Sequence, residues 1–157
     1  MKRLDRQLAG QELGADVRLD LVLCLPRTPA TVALVRHLLD AALAGLGVIE
    51  DCRAEVVLAA NEACANAVAY AHDSSDYRIA IGVKQGWCSV EVVDTGSGLD
   101  GRRQAGRMPE PAVHGGRGLP IMRAVTDTLT LRPSYPSGLT VGFTKRLHFA
   151  GEATNGE

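Results

Sequence analysis

A chain of 157 residues with 17 basic and 18 acidic side chains, net charge −1, is long enough for one domain with a real core and too short for two of ordinary size. That balance gives no electrostatic argument for nucleic acid as a direct partner, and no apolar run approaches the ~20 residues a membrane span requires. Cys24, Cys52, Cys64 and Cys88 are scattered, with no C-x-x-C spacing and no paired histidine, so they read as small hydrophobes in a reducing cytoplasm and not as zinc ligands.

Residues 1–15 are polar and expected to be a flexible N-terminus; the charges at Lys2, Arg3, Asp5 and Arg6 have no apolar stretch behind them that would make a secretion signal. Val17, Leu19, Leu21, Leu23 and Leu25 then alternate as a strand, which Pro26 ends. Thr28 is the expected cap and Pro29 the expected first residue of a helix that Gly45 and Gly47 close, with Arg36, His37 and Asp40 marking its wet positions. A second helix is expected from near Cys52 to about His72. Its core, EVVLAANEACANAVAYAH, is apolar on most of its surface. Residues 77–83 and 87–94 alternate on either side of Gln85 and Gly86 and read as a hairpin. From 97 to 114 periodicity gives way to Gly, Arg and Pro, the composition of a mobile loop. A helix after Gly118 places Pro120 in its first turn, a short strand follows at 128–132, and a closing strand runs over 139–147. The folded domain is expected over 16–149, with 150–157 a disordered tail.

Three stretches carry chemistry. Glu62 and Asn66 lie four residues apart on the second helix, hence on one face, and both are costly to bury without a partner. They suggest a cation site or a proton acceptor beside bound substrate. Asp94 ends the hairpin and runs into Gly96 and Gly98. A carboxylate at a strand end can accept from the exocyclic amine of adenine while glycines admit a flat base, although a D-x-G-x-G turn is also common. Gly115, Gly116 and Gly118 lead into a helix whose unpaired first amides suit phosphate oxygens. No G-x-x-x-x-G-K-[ST] occurs, which excludes a P-loop, and no glycine-rich turn follows the first strand, which argues against a Rossmann site.

The order Glu62-x-x-x-Asn66, Asp94-x-Gly96-x-Gly98, Gly116-x-Gly118-Leu119 resembles the N, G1 and G2 boxes of the GHKL ATPase superfamily. Within it, the chain over about 17–147 is similar to the small bacterial anti-sigma factor serine/threonine kinases. The resemblance implies an α/β fold, a two-layer α/β sandwich of the Bergerat type with a mixed, largely antiparallel sheet and helices on one face. It implies ATP and Mg²⁺, with Asn66 a metal ligand and Glu62 the catalytic base. Asp94 would read adenine, with Gly96 and Gly98 beside the base; Gly116, Arg117, Gly118 and Leu119 would form the phosphate end of the lid. Thr140 resembles the threonine of the last box, which in relatives helps bind adenine through water; here Leu139 separates it from Gly138.

The activity so implied is transfer of a phosphoryl group from ATP to an anti-anti-sigma partner, together with sequestration of a sigma factor. Relatives are often dimers, and the strand near Val17 is a plausible seam for a homodimer. Arg36 lies where relatives contact their sigma factor, while His72 and His114 have ordinary packing or capping explanations. The alternatives are a nucleotide-gated binding protein without kinase activity and a detached sensor-kinase catalytic domain.

Overall fold

The computed structural model describes residues 16–70, 75–94, 117–134 and 138–152. In chain order the elements are β1 (Leu19–Pro26), α1 (Pro29–Gly45), α2 (Glu50–Tyr70), β2 (Asp76–Lys84), β3 (Trp87–Asp94), α3 (Gly118–Val125), β4 (Thr128–Pro133) and β5 (Leu139–Arg146). The five strands form one sheet in the order β1-β2-β3-β5-β4. Residues 1–15, His72, Gly96, Gly98, His114, Gly116, the whole of the expected loop over 97–114 and residues 153–157 lie outside the described residues.

The sheet is the α/β sandwich expected, and among the described residues each of its four pairings is antiparallel. Chain direction explains this. Two helices separate β1 from β2, so the chain re-enters the sheet reversed. A single helix separates β3 from β4 and leaves those two pointing the same way, but β5 inserts between them. No parallel pair results.

Local chemistry sets the element ends. Gln85 and Gly86 both have positive φ, 51° and 75°, as the tight hairpin between β2 and β3 demands. At the end of α1, Gly47 takes φ 84° while its amide donates to Ala44 O and that of Val48 to Leu43 O, the Schellman pattern. Thr28 sits at the expected N-cap position with extended backbone, but its side chain makes no cap bond; the Thr31 hydroxyl closes this end instead, on Thr28 O and Pro26 O, both at 2.8 Å. α2 begins at Glu50, slightly earlier than the apolar pattern suggests, because Glu50 and Asp51 suit the positive end of a helix. Ala150 still donates to Gly47 O, so the chain stays attached beyond Phe149.

The core lies between the sheet and α2. Tyr77, Ile79, Ile81 and Val83 of β2 and Cys88, Val90 and Val92 of β3 face Val56, Ala59, Ala60, Ala63, Cys64 and Ala67. The small side chains of α2 let it sit close on the strands, and each fully buried Ile or Val contributes about 1.5–3 kcal/mol. α1 packs along α2 through Val35, Leu39 and Leu43, tied at its end by Arg53 to Asp40 (3.0 Å) and to Val48 O. The opposite sheet face carries Ala80, Gly82, Ser89, Gly142, Thr130 and Thr144 around a shallow depression of about 400 Å³.

Candidate active site

One end of the sheet collects the polar residues. β3 buries Cys88, Val90, Val92 and Asp94 in alternation, so Asp94, 7% exposed, points into the helix layer at the end of its strand. Its ladder partners are Tyr77 on β2 and Leu139 on β5. The Tyr77 hydroxyl donates to Thr31 Oγ1 at 3.1 Å and lies against the Cys64 thiol, which fixes the second half of α2 over this end. Burial pushes both groups up to about 12, so thiol and phenol stay neutral at ordinary pH.

Asn66 follows Cys64 by two residues and is 8% exposed, while Glu62, one turn earlier, is half-buried. α2 starts at the other end of the sheet, where Cys52 Sγ meets Arg146 O at 3.6 Å, and finishes where Arg27 Nε and Nη2 meet Ala67 O and Val68 O at 3.0 and 2.8 Å. Its direction carries Asn66 to the Asp94 end.

α3 arrives there by its first residues. Thr126 and Asp127, just past α3, are held at the far end, Asp127 N–H on Thr144 O and its carboxylate on Arg146 N–H. β4 then starts beside Thr144 and runs back toward Leu139. Eight residues of helix span about 12 Å, which returns the start of α3 toward the Asp94 end. Gly118 is buried, Leu119 half-buried and Arg117, at the N-cap position, exposed. The first helical bond in α3 runs from Ile121 N–H to Arg117 O; helix geometry leaves the amides of Gly118 and Leu119 without an intrahelical acceptor.

Thr140 is not brought to this group. It pairs with Val93 and Arg132, residues of the opposite sheet face, and its Oγ1 lies 2.7 Å from Ser134 Oγ. The position on β5 beside Asp94 belongs to Leu139. The reason is the two-residue period of a strand, which sends neighbours to opposite faces. Sequence reading missed Leu139, Tyr77 and Arg27. The alternation of β2 marks Tyr77 as inward-facing, but no sequence signal gives the β3–β5 register or an arginine acting forty residues ahead.

Among the described residues no three His, Cys, Asp or Glu side chains cluster as a metal cage. The donor set at this end suits an ion that takes one or two protein oxygens and keeps water and phosphate for the rest, as Mg²⁺ does. No helix among the described residues is long and apolar enough to cross a membrane.

Residues 25–145 match the histidine kinase-like ATPase domain family. The chain is 30% identical over 135 residues to the serine-protein kinase RsbW of Bacillus subtilis, and 29% identical over 135 residues to that of Bacillus velezensis; each match covers 79% of this chain and 83% of the relative. Among solved structures it is similar to the RsbU and RsbW domains of Rv1364c from Mycobacterium tuberculosis, with TM-score 0.61 and 25% identity over 82% of this chain, spanning 32% of that one. It also shares its fold with a chain of the SiaB–SiaC complex from Pseudomonas aeruginosa, with TM-score 0.61 and 16% identity over 92% of this chain and 99% of that one.

Proposed function

We propose, from the premise that this chain belongs to the histidine kinase-like ATPase family, that it is an ATP-dependent serine/threonine kinase which phosphorylates an anti-anti-sigma partner and sequesters a sigma factor. The observation that carries the reading is the meeting, at one end of the sheet, of the α2 face with Glu62 and Asn66, the buried Asp94, and the start of α3. The similarity to serine-protein kinases supports the choice of a hydroxyl as acceptor over histidine.

Asp94 holds the adenine amine at the closed end of the site, where burial strengthens the hydrogen bond. The amides of Gly118 and Leu119, aligned with the α3 dipole, bind phosphate oxygens, and Arg117 at the same turn adds positive charge. Asn66 would supply an oxygen to Mg²⁺, which when bound would neutralise phosphate charge. Glu62, one turn away and open enough to meet a docking protein, orients the acceptor hydroxyl and takes its proton. Phosphoryl transfer asks mainly for positioning and charge neutralisation, and these groups provide both. Gly96, Gly98 and Gly116 belong to the same site by motif.

Four free cysteines among the described residues fit a cytoplasmic setting. β1 is one of the two edge strands of the described sheet, and a second copy of the chain pairs along it. The RsbW relatives and the SiaB–SiaC complex support a protein partner.

The test is incubation with γ-labelled ATP, Mg²⁺ and single-domain candidate partners, scoring acid-stable label on the partner. Label on Ser or Thr that disappears in Glu62→Ala is the expected outcome. Nucleotide bound without transfer to any partner that the protein captures would refute the kinase and leave a nucleotide-gated binder. Acid-labile label would indicate a detached sensor-kinase domain.

A further inference from the structure

We propose that Arg27 is a positioning residue for the nucleotide site, clamping the last turn of α2 so that Asn66 keeps its place beside the Asp94 end of the sheet. The proposal rests on the nucleotide-binding reading of that site. The last four carbonyls of a helix have no amide partner within it, and they carry the negative end of its dipole. α2 has no basic residue in its own last turn to meet them. Arg27 fills that role from the end of β1: Nε donates to Ala67 O at 3.0 Å and Nη2 to Val68 O at 2.8 Å, the two carbonyls that directly follow Asn66.

The same residue fixes the strand that locates Asp94. The Arg27 amide donates to Ser75 O at 3.0 Å, and Pro26 pairs with Asp76 at the start of β2. One residue further, Tyr77 lies opposite Asp94. Arg27 therefore ties the helix end that carries Asn66 to the strand whose register sets Asp94. Its planar fork suits two neighbouring carbonyls, a geometry that the single ammonium of lysine cannot reproduce.

Calorimetry of the full chain with a non-hydrolysable ATP analogue, in Mg²⁺ and in EDTA, separates this role from a general loss of stability. In the parent, Mg²⁺ is expected to tighten binding. We expect Arg27→Ala to lower that metal-dependent gain about tenfold, the scale found when support for a metal ligand is removed, and to lower EDTA binding less. Arg27→Lys is expected to fall between the two, and Arg27→Ala added to Asn66→Ala is expected to cause little further loss of the gain. Amide exchange in the last turn of α2 should accelerate in the alanine variant. If Arg27→Ala does not fold, Arg27→Lys carries the comparison, with its circular dichroism and melting temperature as the check. A folded variant whose metal-dependent gain equals that of the parent overturns the proposal. A parent that binds no nucleotide overturns the site reading beneath it, a result told apart because parent and variants then fail together.

Discussion

Raising the pH should loosen the seat of α2, and the size of the effect follows from three buried acids. Burial pushes the thiols of Cys64 and Cys88 up to about 12 from 9.0; the Tyr77 hydroxyl lowers that of Cys64 slightly, and the charge of Cys52 adds to the rise of Cys88. Burial likewise lifts Tyr77 to about 12 from 10.0. Each group ionises earlier in the unfolded chain than in the folded one. The stability they contribute is therefore complete below pH 9, declines as pH rises from 9, and is lost by about pH 12. At pH 10 the unfolded thiols are mostly ionised, which costs roughly 1 to 2 kcal/mol each, and Tyr77 brings the sum to about 3 kcal/mol. With a urea slope of 1–3 kcal/mol/M, that lowers the unfolding midpoint by about 1–3 M between pH 8 and pH 10. The assay is urea unfolding followed by far-UV circular dichroism at both pH values, for the parent and for Cys64→Ala. The alanine variant should start less stable at pH 8 yet lose roughly 1 to 2 kcal/mol less on going to pH 10. Equal losses in both proteins would mean that Cys64 is not buried against Tyr77, and the placement of Asn66, two residues on, would fall with it.

Three substitutions separate the other roles. Asp94→Asn removes the charge and one of two acceptor oxygens from the group proposed to meet the adenine amine, and a loss of at least tenfold in ATP affinity by calorimetry is expected, since a hydrogen bond to a charged group contributes about 1.5–3 kcal/mol. Glu62→Ala should bind ATP as the parent does while label transfer to the partner falls by about 10² to 10⁴, the usual contribution of a general base. Thr140→Val should leave ATP affinity unchanged in the same titration, because Thr140 faces away from Asp94; loss of its bond to Ser134 would show only as a lower melting temperature, by about 1 kcal/mol of stability.

Short-range patterns were readable from the chain, and long-range register was not. The alternation of residues 77–83 and 87–94 and the Gln85-Gly86 turn define a hairpin because both depend only on neighbours, and the turn fixes which residues face each other. The spacing of Glu62 and Asn66 needed nothing more than the pitch of a helix. By contrast, β5 meets β3 after an excursion through a helix and another strand, and the register that sets Leu139 opposite Asp94 is decided by packing. The threonine that the motif matches, Thr140, therefore lies on the sheet face opposite Asp94. The departure at Leu139 was the one sequence feature that pointed to this, since it shifts the threonine by one residue and so by one face.

Electrostatics link the direction of α2 to what its end can hold. The start of α3 is a positive helix end, but α2 presents its C-terminus at the same end of the sheet, with a partial charge of about −0.5. Together with Glu62 and Asp94, that end is a poor host for a triphosphate unless something offsets it. Arg27 does so where the unfavourable charge originates, by donating to two of the free carbonyls of α2. A full positive charge held within hydrogen-bond distance of those oxygens more than cancels the helix term locally, and partial burial keeps it from being screened away. On the proposed reading, the sheet end could then keep two carboxylates while still accepting an anionic nucleotide. An arginine placed immediately after β1 would thus let the proposed phosphate site share a sheet end with a helix C-terminus.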